Sequence, residues 1–204
     1  MHIIRRIPWL FIALVAYYLP WVYHKTAALT ANAYDLAELV SIDPEVRNGN
    51  PPLLAPFLLR VVLGGLAILF ALLAAKTVER VRWLYIAAAW ILAITLLPPL
   101  DFFRGAFDDP NYQQQFAISL GTLILIVAIA VAHHRGVKWL QKLVMPIALL
   151  VIIGAIVGEV LAWNVLQSPS IGIHESLGGG VVLLVGTMFM LLVAGVTRDK
   201  SGGS

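Results

Sequence analysis

The segment LAPFLLRVVLGGLAILFALLAA, residues 54–75, carries the clearest structural signal of this chain. It holds one charged residue, Arg60, and it is long enough to cross a bilayer, since a spanning helix needs about 20 apolar residues. It leads directly into KTVERVR, residues 76–82, which contains three basic side chains. An apolar run that ends in a basic cluster is typical of a transmembrane helix that ends in the cytoplasm.

The composition of the whole chain agrees with a membrane protein. Hydrophobic residues make up 60% of the sequence and charged residues 12%, whereas a soluble domain has roughly 25% charged residues. Five further apolar segments accompany the first. The sequence therefore predicts an all-α integral membrane protein with six transmembrane helices, arranged as three hairpins that open outward. The predicted spans are residues 7–23, 54–75, 83–97, 116–132, 144–163 and 177–196.

The basic residues also orient these spans. Ten of the fourteen Lys and Arg residues lie in four gaps on one side of the predicted spans, at residues 5–6, 76–82, 135–142 and 198–200. Most acidic residues lie in the gaps on the opposite side. Because Lys and Arg accumulate in cytoplasmic loops, we expect a plasma-membrane protein with both termini in the cytoplasm and the acidic loops outside.

The composition and the motifs argue against several functional classes. The net charge of +3 arises from the basic loops, and no basic stripe with interleaved aromatic residues indicates nucleic-acid binding. The absence of cysteine excludes disulfides, thiolate metal sites and c-type haem. No predicted span contains a histidine, so b-type haem is not expected. Metalloprotease, P-loop and serine-hydrolase motifs are also missing, which favours a protein that is not an enzyme.

Two helix-start signals lie in the first predicted outer loop, residues 24–53. Thr30 or Asn32 provides an N-cap for a short helix that runs to about Val40. The pair Asp43-Pro44 repeats the signal, with proline at the first helical position. The sequence therefore predicts a structured loop with short amphipathic helices that form a lid on the outer surface, their acidic residues turned toward water.

Two charges within predicted spans form the main candidate site. Arg60 lies in the second span and Glu159 in the fifth, both near the outer end. A charge at the centre of a membrane helix costs on the order of 2.5–3.5 kcal/mol, so both side chains should face the bundle interior or a wet cavity. We expect the two to form a pair. The pair is either a lock between two helices or a site for a ligand or a proton, and snorkelling to the interface is the third alternative.

Other polar residues of the outer side are weaker candidates for a site. Histidines and carboxylates bind divalent metals or quinone head groups, but no spacing in this sequence enforces such a site, and no metal is assigned. These candidates are His24, Asp35, Glu38, Asp101, His174 and Glu175.

Glycines in the last two spans predict close helix packing. Gly154 and Gly158 form a small-xxx-small face, which allows another helix to approach closely. Gly178, Gly179 and Gly180 open the sixth span, where three glycines weaken a helix by roughly 1 kcal/mol each unless a neighbour packs on them. Such faces predict membrane-protein partners in addition to the lipid bilayer.

The two ends of the chain require separate interpretation. Arg5 and Arg6 precede an apolar run, as in a signal peptide, but about ten residues separate that run from a possible cleavage site at residues 31–33. We expect an uncleaved first helix. Residues 201–204, SGGS, resemble a linker or a disordered tail, and no function is expected of them.

Three functional hypotheses follow. The leading one is a non-enzymatic multi-pass protein that acts as a subunit or accessory component of a larger membrane complex. The alternative is a small-molecule binding or transport protein with an outer cavity around Arg60 and Glu159. The second alternative is a membrane redox or quinone-associated subunit, which uses the outer histidines and carboxylates.

Overall fold

The computed structural model describes residues 7–23, 30–75, 77, 79–168 and 176–196. Within these residues the chain is mostly helical and contains eight α-helices. The helices are α1 Ile7–Tyr18, α2 Ala33–Ser41, α3 Pro44–Arg47, α4 Leu54–Ala74, α5 Glu79–Thr95, α6 Pro110–His134, α7 Val144–Leu166 and α8 Gly179–Val196. Short 3-10 helices, Phe102–Arg104 and Lys138–Leu143, precede α6 and α7.

Helix α4 forms the centre of the molecule. Most of its residues are buried, and α7, α5, α6, α2 and α1 all pack against it. A helix that is apolar on all sides has to be covered on all sides or lie in lipid. The outer helices also contact one another: α5 packs on α6, α7 on α8, and α8 on α1. A groove over α4 separates α6 from α7.

Three helical segments are long and apolar enough to cross a membrane. They are Leu54–Ala74, Pro110–His134 and Trp139–Leu166, while Pro8–Tyr18, Val81–Thr95 and Gly179–Ala194 are shorter apolar helices. Large apolar side chains remain exposed along α5, α6, α7 and α8, which is the surface that contact with a bilayer needs. The structure thus supports a multi-pass membrane protein with three candidate spans.

The two helix boundaries that differ most from the prediction do so for local reasons. Helix α6 begins at Pro110 rather than at residue 116, because Asp109 caps it by accepting a hydrogen bond from the Asn111 amide at 2.8 Å and proline suits the first helical position. Helix α1 ends at Tyr18 rather than at residue 23. Pro20 follows, and the residue before a proline avoids the helical conformation.

A small antiparallel sheet corrects the all-α prediction. Val22–Tyr23 (β1) pairs with Thr30–Ala31 (β2) on one side and with Ser176–Leu177 (β3) on the other. The order of the strands is β2-β1-β3. The sheet joins the end of α1 to the starts of α2 and α8. Strands of two residues are too short to show the alternation that reveals a strand in a sequence.

The lid, which we define as residues 30–53, contains α2 and α3 at the positions of the two helix-start signals. The Asn32 side chain accepts hydrogen bonds from the Tyr34 and Asp35 amides at 2.8 and 3.1 Å. Asp43 accepts from the Glu45 amide at 2.7 Å and caps α3 in the same way. Helix α2 buries its apolar face, Ala33, Leu36, Ala37 and Val40, against α4, α7 and α1.

Candidate functional site

Arg60 is fully buried on α4, and its guanidinium group joins three helices. Its Nη2 donates to Glu38 Oε1 of α2 at 2.8 Å, and its Nη1 donates to Gln114 Oε1 of α6 at 3.0 Å. Glu38 Oε1 also accepts from Gln115 Nε2 at 2.8 Å. We name Glu38, Arg60, Gln114 and Gln115 the Arg60 cluster. Hydrogen bonds to a charged donor or acceptor are the strong class, roughly 1.5–3 kcal/mol each.

The Arg60 cluster also fastens the end of the lid. Gln114 Nε2 donates to the Leu53 carbonyl at 3.2 Å, and the Leu53 amide donates to the Val46 carbonyl at 2.8 Å. Leu53 has φ +53°, a left-handed conformation that a leucine rarely adopts. Tertiary contacts that hold a residue in such a conformation indicate a defined connection between the lid and α4.

A second ion pair connects the lid to α6. Arg47 Nη2 lies 3.0 Å from Asp109 Oδ2, and both side chains are about one third exposed. Partial burial acts to raise the pKa of Asp109, but the hydrogen bonds from Arg47 and the Asn111 amide outweigh it and leave the pKa below its ordinary value of 3.8. Asp109 therefore stays ionised, and its carboxylate both caps α6 and pairs with Arg47.

The charges of the Arg60 cluster also act on the phenol group of Tyr34 in the lid. Burial raises the pKa of its phenol, and the charge of Glu38 raises it further, while Arg60 acts in the opposite direction. Tyr34 therefore stays neutral at physiological pH, with a polar group at the edge of the lid that donates or accepts a hydrogen bond.

The predicted pairing of Arg60 with Glu159 is replaced by pairing with Glu38. Glu159 is buried on α7, and Gly158 beside it packs on Leu58 and Leu59 of α4. The hydrogen bonds of Arg60 go to α2 and α6 instead. Two residues at similar depth in the membrane need not face each other, because depth does not determine the direction in which a side chain leaves its helix. The lid supplies another carboxylate, that of Glu38.

The weaker candidates do not assemble into one site among the described residues. Glu38 is directed to Arg60, its side chain only 36% exposed, whereas the expectation placed it in water. Asp35 is exposed in the first turn of α2, and Asp101 is exposed before the 3-10 helix Phe102–Arg104. His24, His174 and Glu175 lie outside the described residues. In the described ranges, no group of three His, Cys, Asp or Glu side chains is arranged to hold a metal ion.

The glycines of α7 and α8 lie at two different contacts. A Cβ on Gly154 would lie 3.3 Å from the Leu58 carbonyl oxygen, and one on Gly158 would lie 3.1 Å from Leu59, so both glycines let α7 approach α4 closely. Gly178 and Gly180 lie against the Pro20 and Trp21 segment that follows α1, where a Cβ would overlap existing atoms. Gly179 faces open space.

The prediction from the sequence missed a row of polar residues on the inner face of α6. Asn111, Gln115, Ser119 and Thr122 are all buried, and they recur with helical spacing. Ser119 Oγ donates to the Ala93 carbonyl of α5 at 2.7 Å. This spacing, together with the run Gln113–Gln115, is the sequence signal that would have identified the Arg60 cluster.

The groove between α6 and α7 is a second candidate site. Its volume is about 350 Å³, its floor is α4, and its walls are almost entirely apolar. Gly64, Gly65 and Gly121 lie in this lining. A Cβ added to Gly121 would meet no atom within 4 Å, so the groove has room for side chains that the chain itself does not supply.

Comparison with known proteins identifies no relative of this chain. No protein-family model, no curated protein and no solved structure matches it.

Proposed function

We propose that this chain is a six-span, non-enzymatic protein of the plasma membrane that acts as a subunit or accessory component of a larger membrane complex. The observation that carries the proposal is the groove between α6 and α7. It is apolar, it lies beside the central helix, and Gly121 leaves open space on its α6 wall. Small residues at a membrane-helix surface permit the close backbone approach on which helix association in lipid depends.

The proposed occupant of the groove is a transmembrane helix of another membrane protein. A lipid chain also fills an apolar groove, but it gains nothing from glycines, which reduce the stability of the helices that carry them. A helix gains from an open glycine such as Gly121, because its backbone comes within van der Waals distance there. The near absence of polar groups in the lining favours an apolar helix without charged residues at this depth.

The Arg60 cluster supports the non-enzymatic part of the proposal. Two hydrogen-bonded neighbours occupy the terminal nitrogens of Arg60, and Glu38 is shared with Gln115. A catalytic arginine presents its donors to a substrate, whereas these donors hold the lid to α4 and α6. We therefore assign the cluster a structural role.

The test of the docking proposal compares two glycines. Gly121→Leu fills the groove, and Gly186→Leu adds the same side chain to α8, where a Cβ also meets no atom within 4 Å. Native mass spectrometry of gently extracted protein should show a heteromeric complex for the wild type and for Gly186→Leu, and loss of the partner for Gly121→Leu. Equal partner retention by both variants, or a complex of identical chains, contradicts the proposal.

The six-span orientation is tested separately, because the chain has no cysteine and single cysteines can be introduced. Cysteines at Asn48 and Asp108 should react with an impermeant thiol reagent added outside intact cells. Cysteines at Arg135 and Lys142 should react only after the cells are opened. The reverse pattern, or labelling of all four positions from outside, contradicts cytoplasmic termini.

A small-molecule site near Arg60 and Glu159 is the second candidate. The observation in its favour is Glu159, a buried carboxylate on a helix that is long enough to span a membrane, since such residues are often functional. Under this proposal Glu159→Gln abolishes retention of a co-purified ligand with little change in melting temperature. Glu45→Gln, an exposed carboxylate in the lid, is the control. A ligand that Glu159→Gln retains excludes this candidate.

A further inference from the structure

A cavity of about 480 Å³ lies between α4, α5 and α6, at the end of the bundle opposite the Arg60 cluster. This volume is within the range of about 300–1,000 Å³ that is usual for ligand sites. Ala71 and Ala74 of α4, with Ala75 directly after it, line one side, and Ile126 and Ala130 of α6 line another. The small alanines leave space that larger side chains would fill.

The polar groups of this cavity are concentrated at one place. Arg82, near the start of α5, lines the cavity together with His133 and His134, which end α6. The residues described along the cavity wall include no carboxylate. One end of the cavity therefore carries a permanent positive charge and imidazole donors, and the remainder of the lining is apolar.

The hydrogen bonding of Arg82 indicates capacity for a further acceptor. Its Nη2 donates to the Thr77 carbonyl at a long 3.4 Å, and its buried Nε–H has no hydrogen-bond partner among the residues that the structure describes. An unsatisfied buried donor destabilises a protein by about 1–3 kcal/mol. An anionic oxygen in the cavity would neutralise the charge of Arg82.

We propose that the α4–α5–α6 cavity binds one anionic phospholipid, with its phosphate at Arg82, His133 and His134 and an acyl chain along Ile126 and Ala130. Arginine pairs favourably with phosphate because its planar guanidinium offers parallel N–H donors. Basic pockets between membrane helices recognise anionic head groups, and they do so on the side where Lys and Arg accumulate. A zwitterionic lipid also fits the apolar part of the cavity, but the cation of its head group would lie close to the basic side chains.

The proposal is tested with lipids of known composition. Protein purified in detergent is exchanged into an equimolar mixture of phosphatidylglycerol and phosphatidylcholine with identical acyl chains, and native mass spectrometry measures the lipids that remain bound. The wild type should retain one phosphatidylglycerol in preference to phosphatidylcholine. Arg82→Gln should reduce this preference about fivefold, the effect of one basic side chain near a membrane surface. Arg82→Lys should restore part of it.

Two controls make the result decisive. Arg135→Gln removes the same charge from an exposed position outside the cavity and should leave the preference unchanged. Ala130→Phe fills the apolar part and should reduce retention, whereas Ala128→Phe, on an exposed α6 position outside the cavity lining, should not. Circular dichroism and melting temperature show whether each variant is folded.

Three outcomes overturn the proposal. The first is equal retention of the two lipids by the wild type, which indicates a site without charge recognition. The second is the same loss for Arg135→Gln as for Arg82→Gln, which indicates general surface attraction. The third is displacement of the bound lipid by inorganic phosphate together with no effect of Ala130→Phe, which indicates a free-anion site.

Discussion

Arg60 and Arg82 lie at opposite ends of the bundle, and their surroundings differ. Arg60 is fully buried, and α2 and α6 each supply an acceptor for it. Arg82 is partly exposed beside a cavity and donates a long hydrogen bond to the Thr77 carbonyl. The buried Nε–H of each arginine lacks an acceptor among the described residues. A charge within a membrane bundle therefore indicates binding capacity only where it borders an open cavity, as Arg82 does.

The largest effect is expected for Arg60→Ala. It removes the charged hydrogen bonds to Glu38 and Gln114 and should lower the free energy of unfolding by roughly 2–3 kcal/mol. The measurement is unfolding in mixed detergent micelles, with Arg104→Ala as the control because Arg104 is exposed near the same end. Equal losses for the two variants would show that the Arg60 cluster does not stabilise the protein.

A double-mutant cycle identifies the partner of Arg60. Arg60→Ala combined with Glu38→Gln should give a coupling energy of about 0.6–1.7 kcal/mol, the range for polar pairs between membrane helices. Arg60→Ala combined with Glu159→Gln should be additive to within about 0.5 kcal/mol. A coupling that is larger with Glu159 than with Glu38 would reverse the assignment.

The Arg47–Asp109 pair predicts a smaller, pH-dependent effect. The folded-state pKa of Asp109 is lowered, so its stabilising contribution is complete above the unfolded-state pKa of about 3.9 and is lost as the pH falls through the lower folded-state value. An ion pair this close to the protein surface contributes about 0.2–1 kcal/mol. Asp109→Asn should therefore lower the free energy of unfolding at neutral pH. The further decrease of this free energy in acid should be smaller for Asp109→Asn than for the control variant Asp108→Asn. An unchanged acid profile would contradict the role of the pair.

The smallest change in stability is expected at the cavity end. Ala130→Phe adds apolar volume to existing space, so we expect the free energy of unfolding to change by less than about 0.5 kcal/mol, in either direction. The measurement is the same unfolding experiment, in detergent without added lipid. A decrease in the free energy of unfolding as large as that of Arg60→Ala would mean that the cavity is closed in solution. Arg82 would then border no open space, and the contrast with Arg60 would not hold.

The parts of the fold that depend on local signals could be predicted from the sequence. The Asn32 and Asp43 caps identified the two lid helices, and the apolar run identified α4 to within one residue at its end. Helix α6 carries the same start signal, Asp109-Pro110, but its first turns are polar and were interpreted as loop. Apolar periodicity reveals the buried length of a helix rather than its capped beginning.

The partner of Arg60 could not be predicted, for a geometric reason. A sequence indicates how deep a residue lies along a span, which made Glu159 the expected partner. It does not indicate the rotation of one helix relative to another, which decides the contact. Glu38 lies on a lid helix that folds back over the bundle, and the extent of that folding depends on contacts between α2 and α4 that have no local signal.

The separation of the two Arg60 partners along the chain has a consequence for synthesis. Glu38 precedes Arg60 by 22 residues, whereas Gln114 follows it by 54. At a translation rate of about 5–20 residues per second, the ribosome needs roughly 3–11 s to reach Gln114 after Arg60. Glu38 is therefore already synthesised when Arg60 leaves the ribosome, whereas the contact with Gln114 can form only after the start of α6 has been made.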